Sequence, residues 1–85
     1  MSGDVVMGNL IARGETSTVY AGEQSARRVA IKVLHPHLAD DPVVRARFLR
    51  EAETLAQIDH PNIVRVYGTV EREGRPAIVM ERLDG

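Results

Sequence analysis

Two side chains of this chain stand where apolar residues belong, and both carry charge. Lys32 sits in the strand-like run Val29-Ala30-Ile31-Lys32-Val33-Leu34, and it is the one lysine among 11 basic residues, the rest being arginine. An ammonium is a compact point charge, whereas guanidinium is a wide planar fork, so a solitary lysine marks a position where arginine would not serve. In strand alternation Val29, Ile31 and Val33 share one face, and Ala30, Lys32 and Leu34 share the other. A cation on such a face needs a partner or a ligand.

Glu51 breaks a helical pattern in the same way. From Pro42 to Asp59 an apolar stripe passes through Val44, Phe48, position 51, Leu55 and Ile58, with Ala52 beside it. Position 51 is glutamate, while Glu53 falls on the polar side with Arg50 and Gln57. Lys32 and Glu51 would satisfy each other if strand and helix pack together; alternatively each reaches solvent past an apolar rim. Removing one partner of such a pair costs about 3–5 kcal/mol when both are buried.

Other reactive side chains have plainer readings. His35 and His37 flank a proline, but two imidazoles without a third ligand make a poor metal site, so no metal is expected there. His60-Pro61-Asn62 reads as a helix stop. Glu71 and Glu73 flank a turn and are expected to be solvated. Thr16, Ser17 and Thr18 are hydroxyls of a polar turn.

The elements that must position Lys32 and Glu51 follow from turn and cap signals. A first strand is expected from Val5 to Ala12, then a turn from Arg13 to Ser17 and a second strand from Thr18 to Gly22. A polar loop, Glu23 to Arg27, leads to the lysine strand, which ends before His35-Pro36 because proline bars continuation. Asp40 or Asp41 can cap the helix, with Pro42 in its first turn. Ile63 to Val70 reads as a fourth strand, Glu71 to Arg75 as a hairpin turn and Pro76 to Leu83 as the return strand. The expectation is five strands, with one helix inserted between the third and the fourth.

Composition bounds the function. With 85 residues the chain is one domain at most, and its 44% apolar content suits a globular fold. The net charge of -1 with interspersed signs gives no basic face for nucleic acid. The absence of cysteine excludes disulfides and thiolate zinc sites and fits a reducing compartment. The longest wholly apolar run is Ala77-Ile78-Val79-Met80, far short of a membrane span, and the N-terminus lacks signal-peptide features, so a cytoplasmic location is expected.

Gly14 lies in the turn between the first two strands. Dinucleotide-binding loops lead directly into a helix, whereas strand residues Thr18 to Gly22 follow here. A Walker-type loop needs Gly-Lys before Ser or Thr, and Ile31 precedes Lys32. What is left is a strand–turn–strand flap with a lysine on the next strand; taken alone, Gly14 is a turn residue.

Taken together the motifs resemble the protein kinase family over essentially the whole chain. Ile11-Ala12-Arg13-Gly14-Glu15-Thr16-Ser17-Thr18-Val19-Tyr20 looks like the glycine-rich loop, and Val29-Ala30-Ile31-Lys32 matches the Val-Ala-Ile-Lys strand. Glu51 stands at the helix glutamate, and Ile78-Val79-Met80-Glu81-Arg82-Leu83 looks like the fifth strand and hinge. Leu34 to Pro42 with Arg47-Phe48 is similar to bacterial serine/threonine kinases in particular.

The resemblance implies an α+β N-terminal lobe, residues 1-85, with a five-stranded antiparallel sheet and one inserted helix. It also implies roles. Lys32 would contact the α- and β-phosphates of ATP, held by Glu51. Backbone N–H groups from Arg13 to Ser17, Glu15 and Thr16 included, would cover the phosphates. Val19 and Ala30 would sandwich adenine, Met80 would be the gatekeeper, and backbone groups of Glu81 and Leu83 would meet the adenine edge. Ile11 and Ala12 begin the flap.

Two departures qualify it. Of the family's three flap glycines only Gly14 is kept, with Ala12 and Ser17 at the others, which restricts backbone freedom. The chain also ends at Gly85, before the second lobe that carries the family's catalytic aspartate and Mg2+ ligands. The expectation is therefore an ATP-binding lobe that does not transfer phosphate alone. Its protein substrate and its second lobe, downstream or in trans, would complete it. A stand-alone pseudokinase-like regulatory module and a structural domain with a vestigial cleft are the alternatives.

Overall fold

The computed structural model describes residues 5–58 and 64–82. Among them the elements run β1 (Val5–Arg13), β2 (Ser17–Gln24), β3 (Arg27–Leu34), α1 (Pro36–Ala39), α2 (Pro42–Ala56), β4 (Val66–Arg72) and β5 (Arg75–Glu81). The strands form one antiparallel sheet in the order β1-β2-β3-β5-β4. The expected architecture holds, with the main helix inserted between the third and fourth strands.

The central strands β3 and β5 bury both faces, which is why they read as nearly unbroken apolar runs. Val29, Ile31, Val33, Ala77 and Val79 form one core on the back of the sheet. Leu34 and Ile78 point the other way and pack with Phe48 and Ala52 of α2 and Ala39 of α1. Burying a side chain the size of Phe48 contributes about 1.5–3 kcal/mol, so the helix is docked chiefly by its apolar stripe. The edge strands curl toward each other behind the sheet: Val5, Met7 and Val70 join the back core, and Arg72 donates to the Val5 carbonyl at 3.2 Å.

Several boundaries differ from expectation, each for a local reason. The polar loop Glu23 to Arg27 shrinks to a two-residue turn, Ser25-Ala26, with both residues at positive φ (52° and 63°). That geometry matches the twist of paired strands, so β2 and β3 stay hydrogen-bonded to their ends. The β4–β5 turn is likewise two residues, Glu73 and Gly74, with Gly74 at φ 78° where a side chain would be strained. Gly22 is demanded by close approach, since a Cβ there would lie 2.6 Å from the Val6 carbonyl oxygen.

Pro36 ends β3 as expected, yet it also opens the unforeseen four-residue α1, because its fixed φ suits a first helical turn. Asp41, one of the two candidate caps, accepts from Val43 N–H at 2.9 Å and Val44 N–H at 3.3 Å. Helix α2 ends at Ala56, three residues short of the expected limit, and Ile58 is therefore off the stripe and exposed. The helix stop at His60-Pro61, the strand start at Ile63 and the strand end at Leu83 lie outside the described residues.

Candidate functional site

Strand register lines up the site on the helix side of the sheet. Lys32 is paired with Val19 on β2 and with Ile78 on β5, and the next row on the same face is Ala21, Ala30 and Met80. Val19 and Ala30 are thus diagonal neighbours, and Ala30 shares its row with Met80, which packs against the helix-side core. An apolar floor with one ammonium at its edge is the result. Ile11, in contrast, falls at an irregularity of the β1–β2 pairing and is half exposed.

Helix α2 brings Glu51 over this edge. Lys32 Nζ and Glu51 Oε1 are 3.9 Å apart, with side chains 31% and 61% exposed. The two meet, but neither is buried, so the buried-pair cost anticipated from the sequence does not apply; an exposed pair contributes about 0–1 kcal/mol. At 3.9 Å the contact is an ion pair without a hydrogen bond, and the ammonium keeps its donors for another acceptor. A cavity of about 300 Å³ opens between them, lined by Thr16 of the flap, Lys32, Leu34, Arg47, Phe48 and Glu51.

Arg47 was absent from the sequence-derived site although its signal was available: it lies one helical turn before Glu51, on the same side of α2. It gives the cavity a second cation beside an apolar wall, an arrangement suited to an oxyanion with an apolar neighbour.

The flap is the tip of the β1–β2 hairpin. Gly14 N–H donates to the Ser17 carbonyl at 2.8 Å, closing the turn, and a Cβ on Gly14 would approach that same oxygen to 3.3 Å. Gly14 N–H is thereby committed, which leaves the tip amides of Glu15 and Thr16 for any ligand. Ser17, at a position where the kinase pattern has glycine, is only 5% exposed and shares a row with Leu34. Its side chain fits within the packed base of the flap.

His35, read from the sequence as part of a strand stop, holds the flap twice. Its backbone N–H donates to the Thr16 carbonyl at 2.9 Å, and its ring Nε2 lies 3.0 Å from Thr18 Oγ1. At the other end of the site Glu81 N–H donates to the Arg65 carbonyl at 2.7 Å, while the Glu81 carboxylate accepts from Arg65 N–H at 3.3 Å. With its N–H committed, Glu81 offers its carbonyl. Leu83 lies outside the described residues. No helix among the described residues is long and apolar enough to cross a membrane.

Comparison with known proteins gives a consistent result. The family model for protein tyrosine and serine/threonine kinases matches residues 5–85. A probable serine/threonine-protein kinase of Streptomyces coelicolor is 40% identical, over 100% of this chain and 14% of its own length. The probable serine/threonine-protein kinase PknB of Lactococcus lactis is 45% identical over 88% of this chain and 12% of its own. The PknI kinase domain of Mycobacterium tuberculosis superposes with a TM-score of 0.78 at 30% identity, covering 100% of this chain and 35% of that domain. The chain thus spans about a seventh of these curated relatives and a third of a solved kinase domain.

Proposed function

Because the chain belongs to the protein tyrosine and serine/threonine kinase family, we propose that it is the nucleotide-binding lobe of a serine/threonine protein kinase, transferring phosphate from ATP to protein hydroxyls within a complete domain. The observation that carries this reading is the convergence of Lys32, Glu51 and the flap residue Thr16 on one cavity. A lone ammonium, loosely paired and open on one side, suits an anionic ligand that binds and leaves.

In this reading Lys32 donates to the α- and β-phosphates while Glu51 restrains the ammonium from the helix side, which favours one orientation of the chain of phosphates. The flap amides of Glu15 and Thr16 cover the phosphates from above. Arg13, Gly14 and Ser17 shape that flap, and Ile11 and Ala12 lead into it. Val19, Ala30 and Met80 provide the apolar slot for adenine, whose edge meets the Glu81 carbonyl and backbone groups of Leu83. ATP is the substrate these residues hold. The base, the Mg2+ ligands and the protein-substrate surface are assigned to the second lobe of a complete domain.

The test is titration of an ATP analogue into the chain joined to a matching kinase second lobe, with and without Lys32→Met. Affinity should fall on substitution, by roughly tenfold for one lost charge-assisted contact. An unchanged affinity would remove Lys32 from the role given to it.

A further inference from the structure

A second cavity, of about 340 Å³, lies on the back of the sheet, across the β2–β3 ladder from Lys32. Its wall comes from the roots of the flap and the ends of the central strands: Arg13, Thr18, Val33, His35, His37 and Arg75. Register explains why these distant residues meet. Arg13 pairs with Thr18 and Thr18 with Val33, so the three stand in one row on the back face, and Val33 pairs with Ala77, two residues from Arg75.

The charge of this wall departs from that of the molecule. The chain carries a net charge of -1, yet the cavity gathers two guanidiniums and two imidazoles, and no acidic residue lines it. Arg75 meets Glu73 at 3.7 Å, but that carboxylate is 82% exposed and holds it weakly. Arg13 has no ion-pair partner among the described residues. The rings of His35 and His37 stand 5.6 Å apart at 40°, unstacked, and the Nε2 atom of His35 already faces Thr18 Oγ1. Thr18 itself is 5% exposed, so its hydroxyl is fixed in place.

We propose that this cavity binds a phosphoryl dianion, as free phosphate or on a phosphorylated side chain. Two guanidinium forks match tetrahedral oxygens, the His37 ring N–H adds a donor, and the Thr18–His35 pair, which spends one proton on its own hydrogen bond, adds one more. A group with several acceptor oxygens uses these donors together, which a halide or a single carboxylate does not. Because Arg13, Thr18 and His35 are also the roots of the flap, occupancy would brace the flap from behind. The site is separate from the nucleotide cavity and stands without the kinase reading.

The test is titration of inorganic phosphate into the protein labelled with ¹³C at histidine, with His35 and His37 signals assigned through His35→Gln and His37→Gln. If the chain alone does not give a folded spectrum, the same titration is done on the chain joined to a kinase second lobe. Saturable shifts of both signals are expected, unchanged by Lys32→Met and weakened roughly tenfold by Arg75→Gln. A phosphothreonine peptide that binds more tightly than phosphate, beside an unphosphorylated peptide that does not bind, would assign the site to a modified side chain. Equal affinity of peptide and phosphate would assign it to the free anion. Shifts that do not saturate, or that survive Arg13→Gln with Arg75→Gln in a protein whose other signals are unmoved, would overturn the proposal.

Discussion

In the first turn of α2, Arg45 donates to the Ala39 carbonyl at 3.1 Å, to the Gly74 carbonyl at 2.9 Å and to the Glu71 carboxylate at 2.7 Å. Less than two turns further along, Glu51 meets Lys32 across 3.9 Å with most of its side chain exposed. One contact ties the helix to α1 and to the β4–β5 turn through short, directed bonds. The other holds two charges near each other and leaves both with unused capacity. Order in this lobe is uneven: α2 is pinned through Arg45, whose side chain does not line the cavity, and is held only loosely through Glu51, whose side chain does. A tight Lys32–Glu51 bond would compete with the ligand for the same ammonium.

Substitutions can separate the two contacts. Phe48 lies under the helix between the two contacts and is 9% exposed, so Phe48→Ala should loosen both ends together. It should cost about 3–5 kcal/mol in chemical denaturation, and a loss below 1 kcal/mol would mean that the polar contacts, not the core, dock α2. Next in size, Glu51→Gln in a complete domain should lower phosphoryl transfer roughly 10²-fold, the order seen when one preorganised charge contact is lost. Its melting temperature should stay within about 2 °C of the parent, since the pair is exposed. A large stability loss without loss of transfer would make the Lys32–Glu51 pair a structural contact.

Arg45→Ala should do the opposite, costing about 1–2 kcal/mol of stability by leaving carbonyls and a carboxylate without their donor. Hydrogen exchange should rise at the start of α2 and at Glu73-Gly74 and change little around Lys32. The smallest effect is expected from Asp41→Ala, about 1 kcal/mol, through loss of the N-cap to Val43 and Val44. Exchange confined to the first helical turn would check it.

Much of this was legible in the residues because the signals are local. Alternation in β3 placed Lys32 on the face of Ala30 and Leu34, and the register agrees, since Lys32 shares its row with Ile78 of the helix-side core. Asp40 or Asp41 before Pro42 marked the start of α2, and Glu71 to Arg75 marked a hairpin turn; the structure narrows these to Asp41 and to Glu73-Gly74. The two-residue turn at Ser25-Ala26 was missed because neither residue is the glycine or asparagine that ordinarily announces positive φ. Helix α1 was missed because a proline that stops a strand and a proline that starts a helix look the same in sequence.

The sequence by itself determined which residues face which way: Lys32 on the face of Ala30 and Leu34, Glu51 in line with the apolar residues of α2, Gly14 at a turn. Periodicity sets direction, and direction is a property of a single element. Tertiary structure decided distances and partners. How far α2 stands from β3 depends on Leu34, Phe48, Ala52 and Ile78, which come from segments far apart in the chain. That spacing made the Lys32–Glu51 pair a 3.9 Å contact in water instead of a buried bond. It also brought Arg45 to Glu71 and His35 to the flap, contacts between residues 26 and 17 positions apart for which no local pattern exists.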